Sequence, residues 1–558
     1  MIHVSYIKRN NKELFESFSD INNNVIEIQN YCPLYNSLFE FNDSNWRSVV
    51  LNHETYIKSI GDMIDVGTYN VVLNDDSQTN CFIKRIPIFN PIYYLTGKYK
   101  DLSGIETCMS SYSKKASIEK IDSIHNASYV DFFFYFLSTK LMEKHSFEHA
   151  CQYYDTFQCV YNNLDVNVTD EFDVLEQSNY FHENNGITFS LYEEIFADLF
   201  SNQSKKKKPC IFIHNDLSNL DYDQFPEYIH QSFRSYIPTI EFTESIQEVY
   251  ENDNNSNSDT DTDTETDTDT ETDTDIESNK ECTDEDIDTK YDDSEVSGEY
   301  IEEILVRMNT CPIQMICIEK LEGTLDNYID DNSLSDMEWC SILFQIVMIL
   351  NTYQKVFDFT HNDLHTDNIM YKKTDKKTLT YRFNGEYYCV PTFGKIYKII
   401  DFGRAIYKYK NIRYCSDSYH KDGDATSLYN CEPFYNPKKE KIEPNYSFDL
   451  CRLACSLYDY FLELHYDIYD HVIFQFIHSL CLDDDNIHML YKTPKDITTQ
   501  KERYEGFLLY KKIARKVHNH TPSNVIKNSI FDQFKITKYI PTTNSHLMNI
   551  DALEPCFT

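Results

Sequence analysis

The stretch His361-Asn362-Asp363-Leu364-His365-Thr366-Asp367-Asn368 is followed, 33 residues beyond Asn368, by Asp401-Phe402-Gly403. Phosphoryl transfer from ATP asks a protein for positioning and charge, with little covalent chemistry. It needs a carboxylate to receive or orient the proton of the attacking hydroxyl. It also needs hard oxygen ligands for Mg2+, which takes one or two side chains beside phosphate oxygens and water. Asp363, Asn368 and Asp401 form that sparse set. Ile213-His214-Asn215-Asp216-Leu217 repeats the first core, but Asp221 stands where the amide should be and no Asp-Phe-Gly follows before a long acidic tract. Only the second copy is complete.

The order and spacing of these residues match the catalytic-loop and Asp-Phe-Gly signatures of protein kinases. The chain resembles a divergent member of the eukaryotic-type protein kinase superfamily and is similar to the serine/threonine kinases of large DNA viruses. The resemblance implies an α+β, bilobal kinase-like fold, with a small β-rich lobe carrying a long insertion and a large helical lobe. It implies Asp363 as catalytic base, with Asn368 and Asp401 on Mg2+. Upstream, Asp65-Val66-Gly67-Thr68-Tyr69-Asn70-Val71-Val72 is similar to the glycine-rich loop over the ATP phosphates, with Gly67 and Val72 as nucleotide-binding residues. It keeps one glycine of three, and Gly61 offers an alternative first glycine. Cys81-Phe82-Ile83-Lys84 follows a short hairpin over residues 73–80, which places Lys84 on the α and β phosphates. Phe82 stands where the family has alanine against the adenine. An amphipathic helix expected over residues 129–141 would supply the acidic partner of Lys84, either Asp131 or Glu143. Residues 312–321 read as a buried strand entering the hinge between lobes. There the backbone of Glu319 and Leu321 would bond adenine, with Ile318 as gatekeeper.

Asn362 stands where many kinases carry the Arg that receives an activation-segment phosphate, so activation by that phosphate is not expected. His365 replaces the Lys common in serine/threonine kinases; a His there also occurs in haspin-like kinases and in kinases of choline and aminoglycosides. A small-molecule kinase therefore stands as an alternative, although those enzymes usually lack Phe-Gly after the metal-binding Asp. From Asp401 to Asp449 run 48 residues, room for an activation segment and a peptide-docking platform, and residues 445–454 resemble the central helix whose Asp449 braces the catalytic loop. The resemblance thus implies a protein substrate, with Ser/Thr specificity by analogy. The Ala-Pro-Glu motif is missing, with Glu432-Pro433 and Glu443-Pro444 as imperfect stand-ins. The depleted glycine loop and Phe82 motivate a third reading, an idle scaffold that keeps the fold for binding partners.

The chain has 558 residues, which suits a two-lobed core with insertions. Residues 1–50 read as an N-terminal extension, 51–320 as the small lobe with an insertion over 166–300, and 321–558 as the large lobe. Inside the insertion a helix is expected over 192–200 and a strand over 210–214. A further insertion over 368–401 reads as two strands, 378–388 and 395–400, with residues 325–329 and 337–357 as helices. Formal net charge is −40, and residues 251–300 alone hold 21 acids against two lysines. Between Asp259 and Asp275 acids alternate with Thr and offer no apolar face to bury, so the acidic segment 251–299 is expected to be disordered and nucleic acid to be repelled. The basic run Lys205–Lys208 reads as a loop rather than a nucleic-acid patch. The 17 cysteines contain no Cys-x-x-Cys pair and read as reduced thiols, and the N-terminus carries no apolar targeting core. With no span of membrane length expected, the reading is of an intracellular protein in host cytoplasm or virion, neither secreted nor membrane-spanning. ATP, Mg2+ and a protein substrate are the implied partners, and oligomeric state is left open.

Overall fold

The structure is a computed structural model that describes residues 2–169, 171–191, 304–464, 471–493, 496–497, 501–504, 506–537 and 546–557. The expected 192–200 helix and 210–214 strand, the basic run, the second His-Asn-Asp-Leu copy and the acidic segment 251–299 lie outside those residues. What is described is a mixed α+β fold whose N-terminal part is rich in strands.

The first strands are β1 (Tyr6–Lys8), β2 (Val25–Gln29), β3 (Val49–Leu51), β4 (Ile57–Asp65), β5 (Thr68–Leu73), β6 (Gln78–Pro87), β7 (Tyr153–Asn167), β8 (Phe189–Leu191) and β9 (Leu305–Glu319). An antiparallel sheet runs β2-β7-β9-β6-β5-β4, with β8 added on β9, while β1 pairs with β3. Residues 1–50 thus contribute an edge strand to the main sheet. Side chains directly opposite on neighbouring strands share a face, and alternate residues return to it. Phe82 lies opposite Thr68 and Ile318, Lys84 opposite Ile316, and Val72 opposite Gln78. One face therefore carries Thr68, Val72, Phe82, Lys84 and Ile318 together. The other is covered by the Lys12–Ile21 helix, whose Phe15 and Phe18 meet Phe157 edge-on at 5.3 and 5.8 Å.

Later strands are β10 (Gly323–Thr324), β11 (Ile369–Lys373), β12 (Thr378–Phe383), β13 (Glu386–Pro391), β14 (Lys395–Ile399), β15 (Ile406–Tyr409), β16 (Ile412–Cys415), β17 (Lys535–Ile536) and β18 (Leu547–Asn549). The two strands expected over 378–388 and 395–400 are in fact three. Residues 378–388 fold back on themselves as β12 and β13 around Asn384-Gly385, with φ of 52° and 81°. A two-residue hairpin turn needs left-handed backbone at both positions, which Asn-Gly accepts at low cost. The hairpin extends into a sheet ordered β17-β13-β12-β18, and β11 pairs antiparallel with β14. Ile400 then donates its N–H to the Asn368 carbonyl at 3.0 Å, so the two ends of the 33-residue insertion meet beside the catalytic loop.

The helices Leu325–Asp331 and Asp336–Phe357 stand where 325–329 and 337–357 are expected. The second is long and apolar enough to cross a membrane by length and composition, contrary to the expectation that no span is, and its side chains are buried in the fold. The Ala127–His145 helix contains the expected segment 129–141 but is not amphipathic, because every residue from Ser128 to Leu141 is buried. Three layers enclose it. Tyr35 of the N-terminal residues meets Phe132 at 6.1 Å, Tyr414 of β16 meets Phe133 at 4.9 Å, and Tyr353 of the Asp336–Phe357 helix meets Phe134 at 4.9 Å. A helix covered on all sides has no polar face turned to water, and its polar side chains in this stretch, Asp131 and Lys140 among them, are buried with the rest.

Candidate active site

Fixing the 361–368 loop begins with Asp449, fully buried in the Phe448–Glu463 helix. Its carboxylate accepts the backbone N–H groups of His361 and Asn362 at 2.9 and 2.8 Å. Asn362 takes the left-handed region at φ 66°, and its side chain donates to the Arg404 carbonyl at 3.0 Å and accepts from the Tyr429 hydroxyl at 2.8 Å. A short amide spent on internal bonds cannot serve as the phosphate-reading Arg found at this place in many kinases.

Asp401 is held from both sides. Its φ is 62°, its N–H donates to the Tyr135 hydroxyl at 3.0 Å, and Phe402 behind it is buried against Phe134 and Tyr135 at 4.6 and 4.8 Å. The buried ring anchors the turn, and the turn aims the carboxylate at Lys84. Lys84 Nζ lies 2.7 Å from Asp131 Oδ2 and 3.1 Å from Asp401 Oδ1. Asp131, rather than Glu143, is therefore the helical partner; Glu143 pairs with Lys140 instead. A carboxylate one methylene shorter than Glu thus reaches Lys84 from the Ala127–His145 helix. The other Asp131 oxygen accepts the Phe402 N–H at 2.8 Å, which ties helix, lysine and Asp-Phe-Gly turn together. Burial pushes the Asp131 carboxyl up to about 6 against the pull of Lys84. Burial likewise opposes the Lys84 charge, but its two carboxylates outweigh it and raise the ammonium pKa.

Asp363 and Asn368 complete the group. Asn368 Nδ2 donates to the Asp363 carbonyl at 2.9 Å and lies 3.0 Å from His365 Nε2. Burial lowers the His365 pKa to about 4, against the neighbouring Asp363. At neutral pH the imidazole is uncharged and can accept that amide hydrogen. Asn368 Oδ1 is then buried with no hydrogen-bond partner among the described residues. A buried acceptor without a donor costs about 1–3 kcal/mol unless something else satisfies it, and a hard cation does so. Among the described residues no three His, Cys, Asp or Glu side chains form a metal cage. One amide oxygen and the Asp401 carboxylate are a donor set that suits Mg2+ with phosphate and water as the remaining ligands. For Asp363 itself, burial would raise the carboxyl, but Arg404, His365 and Arg452 hold it down to about 2. Arg404 Nη1 is 3.3 Å from Asp363 Oδ2, while Nη2 is 2.7 Å from Asp424 Oδ2.

Lys84, Asp363, Asn368 and Asp401 all line one cavity of about 900 Å3. Its opposite wall comes from Asn90, Tyr93, Tyr99 and His125 before the Ala127–His145 helix, and from Asp417 to Asp424 after the Asp-Phe-Gly turn. Bonds from Tyr93 Oη to the Asp422 carbonyl, 2.8 Å, and from Lys120 to Asp417, 2.6 Å, join the two walls. Gly67, Val72, Glu319 and Leu321 do not line this cavity. Gly67 has φ 68° in the β4–β5 turn, and a Cβ there would lie 2.9 Å from the Phe82 ring. Phe82 thus packs under the loop, on the Lys84 face of the sheet. Glu319 has a role the sequence did not reveal: its buried carboxylate pairs with Lys398 of β14 and Lys372 of β11. Its N–H donates to the Gln152 carbonyl at 2.9 Å. Tyr510 is the other unforeseen member, donating its hydroxyl to Asp363 Oδ1 at 2.9 Å from the Phe507–Lys516 helix.

No protein-family model matches the chain. It is 42% identical over 62 residues to the serine/threonine-protein kinase haspin of Mus musculus, covering 11% of this chain and 8% of that protein. It is 41% identical over 91 residues to a probable serine/threonine-protein kinase of Dictyostelium discoideum, 14% of this chain and 7% of the relative. A haspin homolog of Arabidopsis thaliana is 37% identical over 62 residues, 11% of this chain and 10% of the homolog. The chain spans a tenth or less of the length of these relatives. Over short stretches, then, the chain is similar to serine/threonine-protein kinases, haspin among them.

Proposed function

We propose that this chain is an ATP- and Mg2+-dependent protein kinase of bilobal fold that transfers the γ-phosphate to Ser or Thr hydroxyls of a protein substrate. The observation that carries the reading is the unpartnered, buried Asn368 Oδ1 beside Asp401, in the cavity that also holds Asp363 and Lys84. Asn368 and Asp401 hold Mg2+, which when bound offsets the phosphate charge. Lys84, kept charged and oriented by Asp131, binds the α and β phosphates. Asp363, ionised across the physiological range, orients the acceptor hydroxyl and receives its proton late in transfer. The hydroxyl oxygen attacks phosphorus as the bond to ADP breaks. The test is transfer of radiolabelled phosphate from ATP to the protein itself and to generic protein substrates. Label that vanishes in Asp363→Asn and in Asp401→Asn is the expected result, with phosphoserine or phosphothreonine on acid hydrolysis. Turnover confined to small alcohols such as choline would overturn it in favour of a small-molecule kinase.

A second reading, a scaffold without transfer, is favoured by Phe82 lying against Gly67 on the Lys84 face. It expects no nucleotide binding by the wild type and recovery of binding in Phe82→Ala.

A further inference from the structure

We infer that Tyr510 is a positioning residue for Asp363, acting through its hydroxyl with Arg452 behind it; the inference rests on the kinase reading. Tyr510 lies on the Phe507–Lys516 helix, 147 residues beyond Asp363 and outside every motif of the sequence. Its hydroxyl donates to Asp363 Oδ1 at 2.9 Å, while Arg404 Nη1 stands 3.3 Å from Oδ2.

An ionised carboxylate has about four acceptor positions. One donor on each oxygen fixes the plane of the carboxylate and leaves lone pairs on its cavity side for an incoming hydroxyl; the Asp363 side chain is 23% exposed. Without Tyr510 the group would rotate about a single contact at Arg404. The angle of its open lone pairs, which decides whether the acceptor oxygen lines up with phosphorus, would be lost. Rate is sensitive to such misplacement even where binding is not.

Arg452 packs over the Tyr510 ring. It lies on the Phe448–Glu463 helix three residues after Asp449, with its guanidinium carbon 5.0 Å from the Tyr510 ring centroid. Its Nε is buried with no hydrogen-bond partner among the described residues. Phe448 and Phe507 flank the same ring at 6.0 and 5.7 Å. The helix that braces the loop backbone through Asp449 therefore also contacts the side chain that holds the base, and Arg452 and Tyr510 both face the cavity.

The test is steady-state kinetics of Tyr510→Phe, which keeps the ring contacts and removes only the hydroxyl. A hydrogen bond to a charged group is worth about 1.5–3 kcal/mol, so kcat should fall roughly ten- to hundredfold. KM for ATP and nucleotide affinity should stay unchanged, while the unfolding midpoint falls with the lost bond. Tyr510→Leu, which also removes the ring, should lower kcat no further than Tyr510→Phe while lowering the unfolding midpoint more. A kcat equal to or above wild type in Tyr510→Phe would overturn the inference: equality means a packing role, and a rise means that the hydroxyl blocks the acceptor site. A wild type that transfers no phosphate would instead overturn the kinase reading, and this inference with it.

Discussion

Glu319→Gln isolates a single buried charge, and its effect follows from the surroundings of that side chain. The Glu319 carboxylate is 3% exposed and pairs with Lys398, also 3% exposed, and with Lys372, which is 49% exposed. Burial would raise its pKa, but the two ammonium groups outweigh burial and bring it from 4.5 to about 2. At about 1.4 kcal/mol per unit that depression stabilises the fold by roughly 3 kcal/mol. Lys398 contributes most of it, because a half-exposed partner such as Lys372 is screened by water. Breaking a buried pair from one side costs about 3–5 kcal/mol, an independent figure of the same size. Gln can still accept the Gln152 N–H that Glu319 accepts at 2.8 Å, so the lower end applies. The sign follows from the depressed pKa: the contribution is full above pH about 4.5 and fades as pH falls toward 2. Urea unfolding of wild type and Glu319→Gln should differ by about 3 kcal/mol at pH 7, and the gap should narrow when both are measured near pH 4. A constant gap across that range, or one below about 1 kcal/mol at pH 7, would refute the assignment of a charged, buried Glu319.

Three other outcomes are expected. Asp131→Ala, which removes the shorter of the 2.7 and 3.1 Å carboxylate contacts of buried Lys84, should lose about 3–5 kcal/mol in urea unfolding; a loss under about 1 kcal/mol would mean that the pair contributes little to stability. Gly67→Ala places a Cβ at φ 68° and 2.9 Å from Phe82 and should cost about 1–2 kcal/mol. Part of that cost should disappear in a Phe82→Leu background, and strict additivity in the double-mutant cycle would show that the ring does not crowd the turn. Phosphatase treatment should leave activity intact, because Arg404 already bridges Asp363 to Asp424, whereas Asp424→Asn should lower it. Activity lost to phosphatase and regained with ATP would contradict this.

Asp363, Asn368 and Asp401 could be read from the chain because each sits at a fixed offset in a continuous motif, and continuity survives divergence. Lys84 followed from its place after a hairpin. The choice between Asp131 and Glu143 could not be made in advance, since it depends on how close a helix lies to the sheet. The helix is buried on every side, with Tyr35 and Tyr414 against it, which is why the amphipathic pattern expected over 129–141 is absent. Asn384-Gly385 was a readable turn signal inside 378–388, and the alternating apolar residues around it masked it as one strand. The Tyr510–Asp363 and Glu319–Lys398 contacts carried no signal, because each joins remote segments and one partner, Tyr510 or Lys398, belongs to no motif. Gly67, Val72, Glu319 and Leu321 were placed by the same resemblance and do not line the cavity that holds Lys84, Asp363, Asn368 and Asp401. Phe82, the one departure at the alanine position, packs at the boundary.

Tyr409 bonds through its hydroxyl to the N–H of Val4, 405 residues away. That long closure has a bearing on biosynthesis. Strand β2 and the residues that pack on the Ala127–His145 helix leave the ribosome before β7, β15 or β16 exist. At 5–20 residues per second the opening segment waits roughly 20–80 s for Tyr409 alone. Phe15, Phe18 and Tyr35 gain their partners Phe157 and Phe132 much earlier, whereas Val4 waits for Tyr409. The nascent chain therefore lacks this closing contact through most of its synthesis, which leaves its opening residues accessible to chaperones. Slowing translation should lower the soluble yield, and supplying those chaperones should restore it.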